Sequence, residues 1–193
     1  SIGKRSLLNT VMGLLMCLND DAVSATCKRH YDEALSMSTR LNALNLLENY
    51  APKLAQDALA DFYNRYSTQT LLMNKYFTVC ASSQRGGVLE RFIALQEDPA
   101  YDLKVPNLVR SLIGSFARNP VGFYAISGEG FRFVADKVIE IDALNPQIAS
   151  GLAGAFKNYG RLNIYQKIFM GIELERIKNH PDLSNNVFEI VSK

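Results

Sequence analysis

Apolar residues recur along this chain at the i, i+3, i+4 and i+7 spacing that places them on one face of an α-helix. No stretch combines sustained apolar–polar alternation with β-branched enrichment, so we expect almost no β-strand. Helices of about 12 residues with short connections favour antiparallel neighbours. Helix pairs that recur about every 30 to 40 residues predict an all-α fold, an α-α superhelix or ARM/HEAT-like solenoid of antiparallel helix pairs.

Local signals predict the helix ends in the first half of the chain. Asn19 or Asp20 is expected to cap the second helix, and Ser38 the third. Pro52 opens the fourth helix, and Gly86-Gly87 interrupts the chain before the sixth. The first helix is expected to carry one apolar stripe, formed by Leu8, Val11, Met12, Leu15 and Leu18.

The stretch from Pro106 to Gln147 is punctuated more heavily than its surroundings and contains three of the six prolines. Pro106 lies in the first turn of a predicted helix. On one face of that helix Arg110 lies above Gly114 and Ala117, and two small residues leave open space beneath a guanidinium. A different face is apolar and is formed by Val109, Leu112, Ile113 and Phe116.

Asn145-Pro146 predicts a helix start, because asparagine is a good N-cap and proline is favoured at the first helical position. Gln147 then falls in the first turn, where free backbone N–H groups suit a carboxylate or carbonyl. We expect this helix to reach Phe156. A long late helix and a short terminal one capped by Ser184 follow, and the late helix is expected to carry Ile164, Ile168 and Ile172.

Composition says little about partners. The net charge of +2 argues neither for nor against nucleic acid, and the basic residues of the last third are too dispersed for a nucleic-acid patch. No run approaches the roughly 18 apolar residues of a membrane helix, so no membrane association is expected. The three cysteines form no C-x-x-C motif and are expected to be free thiols in a reducing compartment.

The chain shows no catalytic constellation. Its two histidines are far apart, H-E-x-x-H does not occur, and no cluster has zinc-ligand spacing. Cys27 and His30 have the spacing of a nucleophile and base or of two ligands, but no group nearby orients the histidine. Asp136 and Glu140 are expected on a solvated face. The aromatic residues that could form a stacking platform are better explained as core: Phe62, Tyr63, Tyr66, Tyr76 and Phe77.

Several segments, in order, resemble the C-terminal helical domain of the aminopeptidase N family of zinc metallopeptidases: HYDEALSMSTRLNAL, DFYNRY, PNLVRSLIGSF, GEGFRFVADKV, DALNPQIAS and QKIFMGIELERI. The similarity covers essentially the whole chain. It implies one helical domain over residues 1–193, a cytoplasmic parent enzyme, and a catalytic domain with its zinc that is not in this chain. The resemblance therefore implies neither a catalytic residue nor a metal ligand among these residues.

The resemblance also implies that Gln147 and Arg110 contact the peptide substrate in the intact parent. The alternatives are a salt bridge for Arg110 and helix N-terminal hydrogen bonding for Gln147. The family has an arginine one turn after Gln147, whereas this chain has Gly151, which puts direct cationic contact there in doubt. Arg161 or Lys157 is a candidate to replace it.

The resemblance implies a capping domain that encloses the chamber of a zinc aminopeptidase, controls peptide access and is inactive alone. Its expected partners are the catalytic domain of the same polypeptide and peptide substrates, and the isolated domain is expected to self-associate through an exposed apolar edge. A free-standing α-solenoid adaptor that binds a peptide or partner protein is the alternative. An independent helical enzyme fits least well.

Overall fold

The computed structural model describes residues 2–192, and these contain no β-strand, which confirms the all-helical prediction. The α-helices are α1 Ile2–Met16, α2 Asp21–Asp32, α3 Met37–Tyr50, α4 Pro52–Tyr66, α5 Thr70–Ala81, α6 Val88–Leu95, α7 Pro106–Phe116, α8 Glu129–Asp142, α9 Pro146–Ala153, α10 Ile164–Lys178 and α11 Asn185–Val191. A 3-10 helix at Gly154–Arg161 continues directly from α9.

The helices form two compact units, Ser1–Ser83 and Gln84–Lys193, here called the N-terminal and C-terminal units. In the N-terminal unit α3 packs against α1, α2, α4 and α5. In the C-terminal unit α9 packs against α7, α8, α11 and the 3-10 helix. The assignment of residues 1–193 to a single domain stays a prediction.

The N-terminal core is formed where the alanine-lined face of α4 packs against the leucines of α3. Ala55 and Ala58 are fully buried together with Leu44 and Leu47. Phe62 is also fully buried, and its ring lies 4.7 Å from that of Tyr66. The aromatic residues of this unit therefore belong mainly to the core, as predicted. The small alanine side chains let α3 and α4 pack closely, and the aromatic rings pack against them.

The prediction of which face of α1 is buried is wrong. Only Met12 and Met16 are buried on this helix. The remaining members of the predicted stripe are exposed: Leu8, Val11, Leu15 and Leu18. Two neighbouring helical faces of α1 are apolar, and only the methionine face packs against the rest of the N-terminal unit.

Helix starts in the N-terminal unit are set by local hydrogen bonds. Asp20 caps α2 by accepting hydrogen bonds from the backbone N–H groups of Ala22 and Val23, as predicted. The prediction that Ser38 caps α3 is wrong. Ser36 is the N-cap, and its hydroxyl accepts from the backbone N–H of Thr39 at 3.3 Å.

A polar network ties α2 to α4. The hydroxyl of Tyr31 donates to Asp61 Oδ2 at 2.8 Å, and Arg65 Nε donates to Asp61 Oδ1 at 2.8 Å. Burial alone would raise the pKa of Asp61, but the hydrogen bonds from Arg65 and Tyr31 outweigh it and hold the pKa below its ordinary value. The network therefore stabilises the carboxylate form in the folded state.

The core of the C-terminal unit is aromatic. The rings of Phe92 and Phe116 stack at 4.4 Å, and Phe123 contacts the rings of Phe131 and Phe156 at 5.0 and 5.7 Å. All five residues are buried. Phe133 of α8 contacts the rings of Phe92 and Phe116 at 5.1 and 5.8 Å and so connects the two groups of rings. The core therefore joins α6, α7, α8, the 3-10 helix and the segment between α7 and α8.

Glycines allow the segment between α7 and α8 to lie against the start of α8. A Cβ on Gly130 would meet the carbonyl oxygen of Gly122 and the Cα of Phe123. A Cβ on Gly122 would lie 2.5 Å from the ring of Phe116. Gly128 has φ +78°, and a Cβ there would lie 2.6 Å from Phe169. The backbone at these positions approaches its neighbours too closely for any side chain.

The late helix α10 ends after Lys178, close to the predicted stop at Asn179-His180-Pro181. The isoleucine face predicted to be the buried face of α10 is not buried: Ile164, Ile168 and Ile172 are 65%, 53% and 57% exposed. Met170 and Ile177 are buried instead. Ser184 caps α11 as predicted, and its hydroxyl donates to Asp142 Oδ1 at 2.6 Å.

We predict that Gly130→Ala destabilises the chain by about 1–3 kcal/mol or more, because the added methyl group clashes with rigid backbone. Gly154→Ala is the matched control, since a Cβ there meets nothing within 4 Å and the local φ is −57°. Urea denaturation with circular dichroism measures both. Equal stability of the two variants would show that the Gly122–Gly130 contact is not close packed.

We also predict that Asp61 makes stability depend on pH. Its folded pKa is lowered, so its stabilisation is complete above an unfolded pKa of about 4 and is lost as the pH falls through the folded pKa. The difference in unfolding free energy between wild type and Asp61→Asn should shrink as the pH is lowered from neutral into the acid range. Asp57→Asn, on the exposed face of the same helix, is the control for removing one carboxylate from α4. A difference for Asp61→Asn that stays constant with pH contradicts the account.

Candidate functional site

Helices α7 and α9 of the C-terminal unit lie against each other and border a cleft of about 690 Å³. Proline occupies the first turn of each helix, Pro106 in α7 and Pro146 in α9. Asn145 caps α9, and its side-chain oxygen accepts from the backbone N–H of Ile148 at 3.2 Å. The sequence signals that predicted these two helix starts therefore also set the walls of the cleft.

Polar side chains that line the cleft come from both walls. Arg110 and Gln147, the two predicted substrate-binding residues, both border it. The other polar lining residues are Arg118, Tyr124, Lys157 and Asn158. No aspartate or glutamate is among the lining residues, all of which lie within residues 2–192. The cleft is therefore cationic and rich in hydrogen-bond donors.

Small residues line the space between these groups. Gly114 and Ala117 belong to the α7 side, and Gly151, Gly154 and Ala155 to the α9 side. A Cβ on Gly151 or on Gly154 would meet no atom within 4 Å. Gly151 therefore faces empty volume rather than a packed neighbour. The space predicted above Gly114 is smaller, because a Cβ on Gly114 would touch Leu152 at 3.8 Å.

Arg110 is exposed and makes one side-chain hydrogen bond, from a terminal nitrogen to Asn107 Oδ1 at 3.1 Å. It forms no ion pair with any residue from 2 to 192, so the alternative explanation, a salt bridge, is not seen in this part of the chain. Most of the five N–H donors of its guanidinium remain available to a ligand.

Gln147 is exposed in the first turn of α9. Its backbone carbonyl accepts from the hydroxyl of Ser150 at 3.0 Å. Its side-chain amide makes no hydrogen bond within the described residues, and the helix N-terminus is capped by Asn145 rather than by Gln147. The amide can therefore offer both a donor and an acceptor to a molecule in the cleft. That Gln147 and Arg110 bind substrate stays a prediction.

Sequence reasoning missed Arg118, Tyr124 and Asn158. Arg118 lies just beyond α7, eight residues after Arg110, so two helical turns bring it to the same face. Tyr124 accepts a hydrogen bond on its hydroxyl from Asn158 Nδ2 at 2.9 Å, and its carbonyl accepts from Gln166 Nε2 at 2.6 Å. Of the two cations considered as replacements at Gly151, Lys157 lines the cleft and Arg161 does not.

The whole sequence matches one family model. Its description is "Domain of unknown function (DUF3458_C) ARM repeats", and the match covers residues 1–193. The chain belongs to this family. Its ARM-repeat description agrees with the predicted solenoid class of fold.

Similar proteins confirm the resemblance to aminopeptidase N. Aminopeptidase N of Caulobacter vibrioides is 32% identical over 192 residues, which are 99% of this chain and 22% of that protein. Aminopeptidase N of Haemophilus influenzae is 33% identical over 167 residues, 86% of this chain and 19% of that protein. This member of the DUF3458_C family thus spans about a fifth of the length of these curated relatives.

A solved structure shares the fold. Legionella pneumophila aminopeptidase A, crystallised in complex with aspartic acid, superposes with a TM-score of 0.89 at 27% sequence identity. The alignment covers 97% of this chain and 22% of that one. The fold of the DUF3458_C chain is therefore that of a part of an aminopeptidase.

The residues described here do not fit a zinc site. Residues 2–192 contain no group of three or more histidine, cysteine, aspartate or glutamate side chains able to hold a metal ion. His30 belongs to the N-terminal unit and His180 to the C-terminal unit. Within the same residues no helix is both long enough and apolar enough to cross a membrane.

The two other candidate pairs, Cys27 with His30 and Asp136 with Glu140, have contacts that explain them without a catalytic role. Cys27 is buried, its thiol contacts the carbonyl of Ala43, and burial raises its pKa to about 11, which opposes nucleophile formation. Asp136 pairs with Arg176 at 2.7 Å, and Glu140 pairs with Lys137 at 2.7 Å. The two carboxylates thus lie in separate exposed ion pairs.

We predict that Asn145→Ala lowers the free energy of unfolding by about 1 kcal/mol, because the first turn of α9 loses its cap. Asn145→Ser should restore most of the loss, since serine also accepts from the helix N-terminus. Urea denaturation of the three proteins measures the effect. If alanine and serine are equally stable, the cap does not fix the position of the α9 wall.

Proposed function

We propose that this chain is the C-terminal part of a zinc aminopeptidase of the aminopeptidase N type. It encloses the chamber in which N-terminal residues are released from peptides, limits access to that chamber and positions the bound peptide. The similarity to aminopeptidase N proteins over nearly the whole chain supports this proposal. Zinc and the catalytic groups belong to the remainder of the polypeptide in this account.

The observation that carries the proposal is the placement of Arg110 and Gln147 on one cleft. A peptide chain in the cleft presents carbonyl acceptors to the guanidinium and both donors and acceptors to the glutamine amide. Gly151 and Gly154 leave room for a backbone beside these groups, since a Cβ at either position would meet nothing within 4 Å. The pairing of free hydrogen-bonding groups with small residues suits a binding wall that holds an extended peptide without a tight side-chain pocket.

Enclosure contributes to the reaction without a catalytic residue in this chain. A wall that excludes water lowers the local dielectric constant and strengthens the electrostatic interactions of the reacting groups. Contacts to the distal part of a peptide also orient its first peptide bond. In this account the chain is inactive alone, and its location in the cytoplasm remains a prediction.

Exposed apolar side chains mark the surfaces that contact the rest of the polypeptide. In the N-terminal unit they follow α1 and include Leu7, Leu14 and Leu18. In the C-terminal unit they follow α10 and include Ile164 and Tyr165. Patches of this kind are usually covered by protein, and the chain accounts for only about a fifth of the length of its relatives. The same patches underlie the expected self-association of the isolated chain.

We predict that Gln147→Ala and Arg110→Ala, made in the full-length polypeptide, each raise KM for tetrapeptides about two- to ten-fold, the value of one lost hydrogen bond. KM for a single-residue aminoacyl-p-nitroanilide should change much less, because that substrate does not reach the cleft. Steady-state kinetics with both substrates gives the comparison.

Lys178→Ala is the control for these variants, because Lys178 is exposed at the end of α10 and does not line the cleft. It should leave KM for tetrapeptides unchanged. Equal increases in KM for the tetrapeptide and the single-residue substrate would show that Gln147 and Arg110 do not contact the distal part of the peptide.

A further inference from the structure

We infer that residues 157–161, here called the flap, form a hinged part of the cleft wall, which opens to admit a ligand and closes over it. Only the identity of that ligand, a peptide, rests on the proposed function. The helix type of this segment, the fixed points on either side of it and a hydrogen bond between two lining residues support the inference.

The flap belongs to an unusually long 3-10 helix. Gly154–Arg161 has eight residues in this geometry and continues directly from α9. Runs of more than three or four residues are uncommon, because side chains at i and i+3 eclipse each other and the hydrogen bonds are poorly aligned. A long 3-10 continuation of an α-helix therefore has only a weak preference for its own geometry, which is typical of a hinge.

The flap lies between two fixed points. On one side Phe156 is 2% exposed, and its ring lies 5.7 Å from that of Phe123 in the aromatic core. On the other side Asn163 caps α10 by accepting from the backbone N–H of Gln166 at 2.9 Å, and Gln166 Nε2 donates to the carbonyl of Tyr124 at 2.6 Å. All five flap residues between these points are exposed. The flap is thus a short strap with an anchor at each end.

Glycines near both ends of the 3-10 helix give it backbone freedom. A Cβ on Gly154 or on Gly160 would meet nothing within 4 Å, and neither residue has a positive φ. The conformation seen here would therefore accept alanine at both positions. Glycine adds a freedom that this conformation does not use, and a second conformation of the flap would use it.

One hydrogen bond holds the flap to the far side of the cleft. Asn158 Nδ2 donates to the hydroxyl of Tyr124 at 2.9 Å, and both residues line the cleft. The side chains of Lys157, Tyr159 and Arg161 make no hydrogen bond within residues 2–192. A return of the 3-10 helix to α geometry would draw Asn158, its fifth residue, back along the axis by about 2 Å. That displacement breaks the hydrogen bond to Tyr124.

Opening of the flap changes one side of the cleft and leaves the rest in place. Lys157 and Asn158 are the flap residues that line the cleft, so they would move away from its border. Arg110 and Gln147 lie on α7 and α9, outside the flap. A closed flap shields a bound ligand from water, as the lids of other binding sites do.

Hydrogen–deuterium exchange of the full-length polypeptide, followed by mass spectrometry, tests the flap without any need for hydrolysis. We expect the flap amides to exchange by local opening, much faster than the amides of the buried helix α8. A tetrapeptide with a reduced, uncleavable first peptide bond is then added, and its binding is measured by isothermal titration calorimetry. At saturation it should slow exchange of the flap at least about three-fold and leave α8 unchanged, because a ligand stabilises the form that it binds.

Variants test the hinge and the hydrogen bond separately. Asn158→Ala and Tyr124→Phe should each speed exchange of the flap about two- to ten-fold, and the double variant no further, because both remove the same hydrogen bond. Gly160→Ala should slow it about two- to five-fold by restricting the backbone of the open form. Gly86→Ala is the matched control, since this exposed glycine also faces open space but lies outside the flap.

Flap amides that exchange as slowly as those of α8 in the free polypeptide would overturn the inference. So would exchange that Asn158→Ala speeds equally throughout the C-terminal unit, since the hydrogen bond would then support the fold rather than the flap. A tetrapeptide that binds without slowing exchange of the flap refutes the flap alone. Local opening as expected in a polypeptide that binds no tetrapeptide refutes the proposed function alone.

Discussion

The close approach of the Gly122–Phe123 backbone to Gly130 is the contact on which the C-terminal unit depends. No side chain fits at either glycine, because a Cβ would meet backbone at Gly130 and the ring of Phe116 at Gly122. Asn119 supports the turn by accepting hydrogen bonds from the N–H groups of Val121 and Gly122, both at 2.9 Å. The segment between α7 and α8 is thereby held against α8 by backbone geometry.

The arrangement of the cleft follows from that contact. Fixing the segment after α7 directs Phe123 into the aromatic core and leaves Arg118 and Tyr124 at the border of the cleft. The core is apolar and closely packed, whereas the polar groups that line the cleft are bonded sparingly to the protein. A rigid support with polar groups that keep spare hydrogen-bonding capacity is the arrangement expected of a binding surface, because little reorganisation is needed when a ligand arrives.

Features that depend on residues within one helical turn could be predicted from the sequence, whereas features that depend on tertiary packing could not. Pro106, Asn145 and Pro146 act within one helical turn, so the starts of α7 and α9 could be predicted from sequence, and Arg110 and Gln147 were placed on one surface by the family resemblance. Ser36 and Ser38 are equally good caps in sequence, and only the path of the chain selects Ser36. The buried faces of α1 and α10 were predicted wrongly, because each helix has more apolar residues than its unit buries. The cationic contribution of Arg118 depends on the turn that follows α7 and carries no motif.

A crystal structure of the full-length polypeptide with an uncleavable tetrapeptide tests the central claim most directly. The account predicts that the distal half of the peptide passes along the cleft, with its polar atoms about 3 Å from the side chains of Arg110 and Gln147. A peptide bound elsewhere, with the cleft open to bulk solvent and facing away from the reaction centre, would contradict the account.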